Sequence, residues 1–212
     1  MKKSKTAIII TLLIIILSVF FFFFPLNEIT KNLPIVKVFY RNTVLEITSP
    51  NGKALVKIDG KEYGNTPANI TDLVAGKYQI ELRRESSSEN FYKPHVFNIE
   101  LTKNSTSRIN IEIGPGDTLH GFLLFYTQDN TLGTNKGKLT LTSNAQNTKV
   151  YIDDEYIGVT PITNHILNTG EYTIKMEAEG YESLEFPVVI SKGFVLNVKG
   201  YQFPIPVSFD IN

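Results

Sequence analysis

The tightest group of side chains that could bind a metal is the acidic run Asp153, Asp154 and Glu155. Calcium loops present oxygen ligands at alternating positions, as in D-x-D-x-D-G, whereas these three carboxylates are consecutive. An Asp-Asp pair between two alternating apolar runs is also typical of a two-residue hairpin turn. We therefore expect the three carboxylates to face solvent in a hairpin, and we predict no metal site and no cofactor.

The other residues with catalytic or ligand-binding chemistry are dispersed along the chain. His95, His120 and His165 lack the spacing of metal ligands, and the absence of cysteine excludes disulfides, thiolate ligands and a thiol nucleophile. The sequence contains no glycine-rich phosphate loop, Gly-x-Ser-x-Gly elbow or His-Glu-x-x-His motif. Two carboxylates that the fold brings together could still form a hydrolase site. No pattern favours that outcome, and we predict that the chain is not an enzyme.

The overall charge argues against one class of partner. The chain has 21 basic and 21 acidic residues, and its formal net charge is zero. Proteins that bind nucleic acid need a basic surface that follows the phosphates. We therefore expect no binding of nucleic acid.

The N-terminus has the composition of a membrane anchor. A basic tip over residues 1–6 precedes 18 uncharged residues, Ala7 to Phe24, which as a helix would span roughly 27 Å, close to the thickness of a bilayer core. A cleaved signal peptide is the alternative, but no small residues follow the apolar run in a good position for cleavage. Because lysines stay on the cytoplasmic side, we expect a single-pass cell-membrane protein. It would contact the lipid bilayer through residues 7–24, with its C-terminal domains extracellular or periplasmic.

The rest of the chain alternates apolar and polar residues in short runs, for example at Leu45 and Ile47 and at Val56 and Ile58. A period of two over four to seven residues is typical of half-buried strands. No stretch beyond the N-terminal run has convincing helical periodicity. After a juxtamembrane spacer over residues 25–43, we therefore expect an all-β region.

The order of these runs occurs twice. A shift of 94 positions aligns residues 56–82 with residues 150–176 without a gap, and ten of the 27 positions are identical. Further along, the offset falls to 89, which places five extra residues of the first copy within RRESSSENFY. We predict two tandem small β-sandwich domains of about seven short strands each, over residues 44–113 and 138–212, the second with a C-terminal strand.

The segment between the copies, residues 114–137, has the Gly, Asn and Thr of a linker at its ends but five apolar or aromatic residues, Phe122 to Tyr126, at its centre. We interpret this centre as an extra strand that covers a domain edge or the joint between the domains. An exposed binding patch is the alternative.

Each copy contains a hairpin signal. Asp59-Gly60 and Asp153-Asp154 are predicted to be two-residue turns. This register places apolar residues inward and gives plausible cross-strand partners in both copies. The predicted pairs are Lys57 with Glu62, Val56 with Tyr63, Tyr151 with Tyr156, and Val150 with Ile157.

A Gly-x-Thr-Pro motif follows each hairpin, at residues 64–67 and 158–161, and its glycine suits a bulge or a positive φ. Because proline cannot donate to a ladder, we expect the chain to cross from one sheet to the other here. A Leu-x-x-Gly-x-Tyr motif then ends at Tyr78 and at Tyr172, with the spacing of a tyrosine corner, in which the phenol bonds to upstream backbone. A tyrosine merely buried at a strand start is the alternative.

The order V-x-I-D-G, G-x-T-P, L-x-x-G-x-Y and a distal aromatic residue resembles the PEGA domain, over roughly residues 44–113 and 138–200. PNGKA at residues 50–54 resembles the motif that names the family, with one extra residue, whereas NAQNT at residues 144–148 has lost it. The resemblance implies small β-sandwich modules of bacterial and archaeal surface proteins. It implies location and architecture, and the family has no assigned catalytic residues.

Two exposed features are candidate contact surfaces for an envelope protein or a glycan. One is the longer loop of the first copy, with Arg83, Arg84 and Tyr92, for which a solvated hairpin tip is the alternative. The other is the outward pair Tyr151 and Tyr156, which could instead pack against the neighbouring domain.

These features lead us to expect a non-catalytic, membrane-anchored surface or scaffold protein. An accessory subunit of an envelope enzyme or secretion complex is the alternative. A cell-wall hydrolase with an unrecognised site is the third possibility.

Overall fold

The computed structural model describes residues 11–15, 18, 43–86, 91–131, 133 and 135–206. Residues 11–15 and 18 are helical. The rest of the predicted anchor over residues 7–24, and the spacer up to residue 42, lie outside the described residues. Within the described parts of the chain, no helix combines the length and the apolar character needed to cross a membrane.

From residue 43 onwards the described chain is built of strands, as the all-β prediction requires. The first copy comprises β1 (Thr43–Thr48), β2 (Ala54–Ile58), β3 (Lys61–Asn65), β4 (Ala68–Ile70), β5 (Gly76–Arg84), β6 (His95–Leu101) and β7 (Ser105–Ile113). The strand β8 (Leu119–Gln128) follows. The second copy comprises β9 (Lys136–Ser143), β10 (Lys149–Ile152), β11 (Glu155–Val159), β12 (Ile162–Asn168), β13 (Gly170–Glu177), β14 (Leu184–Ile190) and β15 (Phe194–Tyr201).

These strands form three sheets. Two four-stranded sheets have the orders β3-β2-β5-β6 and β11-β10-β13-β14, and a seven-stranded sheet has the order β12-β9-β15-β8-β7-β1-β4. The strands of the two copies occupy equivalent places in this arrangement, which confirms the tandem repeat. The connection between β5 and β6 is longer than its equivalent between β13 and β14, as the change of offset predicts.

The strand β8 is shared by both copies. It pairs antiparallel with β7 on one side and with β15 on the other. Leu119 and Leu123 belong to the core of the first sandwich, whereas Phe122, Leu124 and Tyr126 belong to the core of the second. Since both faces of β8 are buried, five consecutive apolar or aromatic residues are needed there.

The two copies are related by a rotation of about half a turn about the long axis of β8. The strands β7 and β15 flank β8 and run in the same direction, because each is antiparallel to it. The two cores lie on opposite faces of the seven-stranded sheet, because alternate residues of β8 enter them. Each face of that sheet is therefore covered by a four-stranded sheet over one half and left uncovered over the other.

The hairpin turns lie where the sequence predicts them. Lys57 pairs with Glu62, and Tyr151 pairs with Tyr156. In each turn the first aspartate has φ of 48°. Its carboxylate accepts a hydrogen bond from the neighbouring strand of the sheet. The donor is the backbone N–H of Gln79 on β5 at 2.9 Å in the first copy, and that of Thr173 on β13 at 2.8 Å in the second.

The next predicted pair is wrong in both copies, because each hairpin contains a β-bulge. Val56 lies opposite Gly64, whose φ is 88°, and Val150 lies opposite Gly158, whose φ is 142°. Glycine adopts this backbone conformation without steric cost, so one extra residue fits into the second strand and packs towards the core. The observed pairs are Val56 with Gly64 and Val150 with Gly158, and the extra residues are Tyr63 and Ile157.

Exchanging the second turn residue between the copies tests the conformational requirement of the turn. Asp154 has φ of 65° and its counterpart Gly60 has φ of 79°. A residue with a side chain is strained at positive φ, which favours glycine at this position. Glycine loses more conformational entropy on folding, which partly offsets that advantage. We expect Asp154→Gly to be neutral or to stabilise by up to about 1 kcal/mol, and Gly60→Asp to be neutral or to destabilise by a similar amount. Urea denaturation measures both, and a clear loss of stability in Asp154→Gly would contradict the argument.

The two motifs after the hairpins also act as predicted. The chain passes from β3 to β4, and from β11 to β12, into the seven-stranded sheet at the Thr-Pro pairs, whose peptide bonds are both cis. The Tyr78 hydroxyl donates to the carbonyl oxygen of Val74 at 2.8 Å, and that of Tyr172 donates to Asn168 at 3.1 Å. Both are tyrosine corners, each reaching four residues upstream.

Candidate functional site

The longer loop of the first copy brings Arg84 and Tyr92 together. The Arg84 guanidinium lies 4.3 Å from the centre of the Tyr92 ring, and its Nη1 donates to the carbonyl oxygen of Ile113 at 2.5 Å. Tyr92 forms an isolated bridge with Gly116. These contacts hold the segment after the loop against the end of β5. Arg84 therefore already takes part in contacts within the chain, through one hydrogen bond and the face of one ring.

Arg83 is separated from that pair. Successive side chains of a strand point to opposite faces, and Arg83 is exposed on the outer face of β5, where it lies opposite Leu55. Arg83 thus presents an accessible positive charge on the open face of the sheet β3-β2-β5-β6. Residues 87–90 of the loop lie outside the described residues.

Tyr151 and Tyr156 form an accessible aromatic pair on the outer face of the sheet β11-β10-β13-β14. Their ring centres are 5.6 Å apart with the planes tilted by 58°, and Tyr156 is 55% exposed. Lys175 lies opposite Tyr151 in the ladder, with its ammonium 5.8 Å from the ring centre. In the first copy the equivalent row is the charged set Lys57, Glu62 and Glu81.

A charged pair borders the tyrosines. The Lys175 ammonium lies 2.7 Å from a carboxylate oxygen of Glu177. This hydrogen bond raises the pKa of Lys175 and lowers the pKa of Glu177. Both groups therefore stay charged across the neutral range, so the surface offers ring faces, phenol hydroxyls and fixed charges to a partner.

In the described part of the chain, no three of the histidines and carboxylates lie close enough together to hold a metal ion. His120 Nδ1 accepts a 3.4 Å hydrogen bond from the backbone N–H of Phe203, and His165 lies on β12. The acidic run from Asp153 to Glu155 is exposed, as predicted.

His95 should make stability sensitive to mild acid. Its Nε2 is buried without a hydrogen-bond partner in the described structure, and burial lowers its pKa, although Asp117 nearby acts in the opposite direction. The folded chain thus binds this proton less readily than the unfolded chain does, so stability is complete above the ordinary histidine pKa of about 6.5 and falls as the pH decreases below it. We expect the melting temperature to fall less between pH 7.5 and pH 5 in His95→Gln than in the natural chain, since the carboxylates titrate mainly at lower pH. An equal fall in both would contradict this assignment.

Two grooves, which the sequence did not indicate, lie above the uncovered halves of the seven-stranded sheet. One runs beside β6, above β15 and β9, and the other beside β14, above β7. Their walls come from segments far apart in the sequence, so no local pattern could have revealed them.

The family comparison identifies the repeated unit. The PEGA domain profile matches residues 42–117 and 136–201, which contain the strands β1–β7 and β9–β15. A search of curated proteins found no match. Among solved structures, the chain is similar to the Bacillus anthracis TIE protein, with 15% identity and a TM-score of 0.27 over 74% of this chain and 34% of that one, so it spans about a third of that protein's length. On the profile match, which covers more than half of its residues, the chain belongs to the PEGA domain family and carries two tandem copies of the domain.

Proposed function

We propose that the chain is a non-catalytic surface protein, anchored in the cell membrane through residues 7–24, that displays its two PEGA domains for interaction with an envelope protein or a glycan or for scaffolding of the envelope. The observation that carries the proposal is the accessible pair Tyr151 and Tyr156. Exposed aromatic residues on a firm sheet face are typical of contact surfaces, because they bury a large area at a small loss of side-chain entropy.

The difference between the copies supports this assignment. The register is the same in both hairpins, so the fold requires no particular residues at these outward positions. The first copy has an ion pair of ordinary surface type there, worth about 0–1 kcal/mol. The second copy has two aromatic rings that water solvates poorly, which favours a role in contact with a partner over a role in stability.

The anchor and its orientation are part of the proposal. The uncharged run from Ala7 to Phe24 is long enough for a bilayer core, and the lysines before it favour a cytoplasmic N-terminus. The domains then lie outside the membrane, in a compartment where a core without disulfides must stabilise itself. Each copy has a core of more than a dozen buried apolar residues for that purpose.

An accessory subunit of an envelope enzyme or secretion complex is the second candidate, since the same tyrosine surface could recruit an enzyme. A stoichiometric enzyme among the bound proteins would favour it. No observation favours a hydrolase.

The experiment is a pull-down from membranes that have been washed with alkaline carbonate and then solubilised. Retention of the chain through the wash is expected for an anchor, and its release would contradict the membrane part of the proposal. From the solubilised fraction we expect a partner or glycan fraction that Tyr151→Ser/Tyr156→Ser no longer captures. Lys57→Ser/Glu62→Ser, at the same register positions of the first copy, is the matched control. Equal capture by both variants would contradict the assigned surface.

A further inference from the structure

The strand β6 is an open edge beside the uncovered half of the seven-stranded sheet. It is the last strand of its sheet and pairs only with β5 among the described strands. Its other side carries a row of backbone N–H and C=O groups, which is the arrangement that an incoming strand can pair with. Its sequence, HVFNIEL, has neither proline nor lysine, the residues that commonly block such an edge.

A groove made of two neighbouring cavities follows this edge. A cavity of about 390 Å³ lies beside Val96, Phe97 and Asn98, and a second of about 420 Å³ lies beside Asn98, Ile99 and Glu100 and also reaches Lys77 and Tyr78 on β5. Asn98 and Phe125 line both cavities, so the two lie next to each other. The five strand residues from Val96 to Glu100 extend about 16 Å, so the two cavities together follow most of the length of β6.

The floor of the groove is polar and almost uncharged. It consists of outward side chains of β9 and β15, namely Thr140, Thr142, Asn197 and Lys199. Lys199 is the one charged group among the described residues that line the cavity beside Val96. The floor therefore suits small, hydroxylated or amide side chains. The Lys199 ammonium lies over the Tyr201 ring, 5.1 Å from its centre, and suits a carboxylate of a ligand, whereas Lys77 and Glu100 together line the second cavity.

Tyr201 supplies an unused hydrogen-bonding group to the groove. Its side chain is only 8% exposed, packs edge-on against Phe97 with the ring centres 5.9 Å apart, and lines the cavity beside Val96. Its hydroxyl has no hydrogen-bond partner in the described structure, whereas the buried phenols of Tyr78 and Tyr126 both donate to backbone carbonyls. Burial raises the pKa of Tyr201 to about 12, so the hydroxyl keeps its proton at neutral pH.

The equivalent edge of the second copy is blocked. Its strand β14 contains Pro187, which has no N–H to donate. The Tyr126 hydroxyl donates to the carbonyl oxygen of Val189 on β14 at 2.7 Å, and the adjoining cavity is smaller, about 270 Å³. The fold thus offers two related edges, of which only the one at β6 is free of such features.

We propose that the groove beside β6 binds an extended polypeptide segment of a partner protein, which pairs with β6 and adds a fifth strand to the sheet β3-β2-β5-β6. Inward side chains of the segment lie on Thr140, Thr142 and Asn197, and a carboxylate of the segment contacts Lys199. This surface is distinct from the tyrosine pair of the second copy, so the inference stands independently of the proposed function. The free backbone edge favours a polypeptide over a glycan, which has no strand to pair.

The test selects peptides against the groove. A displayed library of random linear peptides is selected on the full-length chain in detergent, with counter-selection on Thr142→Trp, which fills the floor of the groove. Thr48→Trp is the matched control, because Thr48 holds the same place on β1 and makes the same weak contact to a neighbouring backbone carbonyl, 3.5 Å against 3.4 Å. We expect enriched peptides that bind the natural chain and Thr48→Trp alike and bind Thr142→Trp at least about tenfold more weakly.

Two further measurements separate strand pairing from other modes of binding. Two versions of an enriched peptide are N-methylated, one at its odd-numbered and one at its even-numbered residues. One version should lose binding and the other should bind nearly as before, because only every second N–H of a strand faces its partner. Lys199→Gln should weaken the acidic peptides at least several-fold and leave their neutral counterparts unchanged. Three outcomes would each overturn the proposal. The selection could yield no peptide whose binding depends on Thr142, or both N-methylated versions could lose binding equally. The groove could also bind oligosaccharides in place of peptides, with that binding abolished by Thr142→Trp.

Discussion

Replacing Gly121 with alanine is expected to lower the free energy of unfolding by at least about 3 kcal/mol. Gly121 lies in the shared strand β8, between Ile111 of β7 and Tyr201 of β15. Its φ is 127°, a conformation that L-residues rarely adopt. A Cβ atom there would also overlap the carbonyl oxygen of Asn110, which is backbone and cannot move without breaking the ladder. Both strain and overlap act at the centre of the seven-stranded sheet.

Gly170→Ala is the matched control for this change. Gly170 is also a strand residue, but its φ is not in the positive region, and a Cβ atom there would meet only the ring of Tyr172 at an ordinary 3.7 Å. We expect a change within about 1 kcal/mol for the control. Urea denaturation followed by circular dichroism measures both variants, and similar stabilities for the two would contradict the role assigned to Gly121.

The second large effect is expected from two neighbouring residues of β8. Leu123 and Leu124 are 4% and 3% exposed, and they enter the first and the second core respectively. Truncation of a buried leucine to alanine typically costs about 2–5 kcal/mol. We expect Leu123→Ala and Leu124→Ala each to lose stability in that range. The two residues are consecutive in the chain, but their side chains contact different domains.

Since β8 completes both sandwiches, either truncation should destabilise the whole β region. Hydrogen exchange of amides in β2 and in β10 reports on the two copies separately. We expect both sets to exchange faster in each variant, and Gln128→Ala, at the exposed end of β8, to leave both unchanged. Acceleration confined to one copy in each variant would show that the two sandwiches unfold independently.

Much of the fold was predictable because its signals are local. The repeated motifs predicted the two copies, the turn residues Asp59 and Asp153 predicted the hairpins, and the Leu-x-x-Gly-x-Tyr spacing that ends at Tyr78 predicted the corner. Each depends on residues close in sequence, where backbone geometry and side-chain type decide the structure. The glycines at 64 and 158 indicated a bulge or a positive φ, and both are present. The predicted pairs of Val56 and Val150 nevertheless ignored the bulge, because a residue without a side chain does not show which face of the strand it occupies.

The pairing of β8 with both β7 and β15 could not be predicted from any local sequence pattern. The run from Phe122 to Tyr126 indicated burial, but strands that pair across long stretches of chain leave no periodic mark of their partners. Gln202 shows the same limit. It is fully buried, and its side-chain amide donates to the carbonyl oxygens of Met176 and Glu182, which only the folded chain brings near.

The candidate contact residues also differ in how far the sequence could predict their arrangement. The longer loop of the first copy suggested that Arg84 and Tyr92 could contact a partner, but the sequence does not show that they contact each other. The tyrosine pair of the second copy followed from hairpin register, so its geometry was accessible to sequence reasoning. The groove beside β6 was not, because its walls and floor join β6, β8, β9 and β15.

The directions of the strands determine how the fold transmits mechanical force. The strands β1, β7 and β15 all point the same way, so the chain enters at one end of the seven-stranded sheet and leaves β15 at the other. Tension between the two ends slides β1, β7, β8 and β15 along one another, so that all the hydrogen bonds of a ladder are strained together instead of opening one after another. In single-molecule pulling, the two ends of the chain should therefore resist a much higher force than two handles placed on β13 and β14, which would peel apart from their shared end. If the N-terminus is held in the membrane as we propose, a load on the second copy is carried through β8 into the first copy, and the pair of domains behaves as a stiff tether.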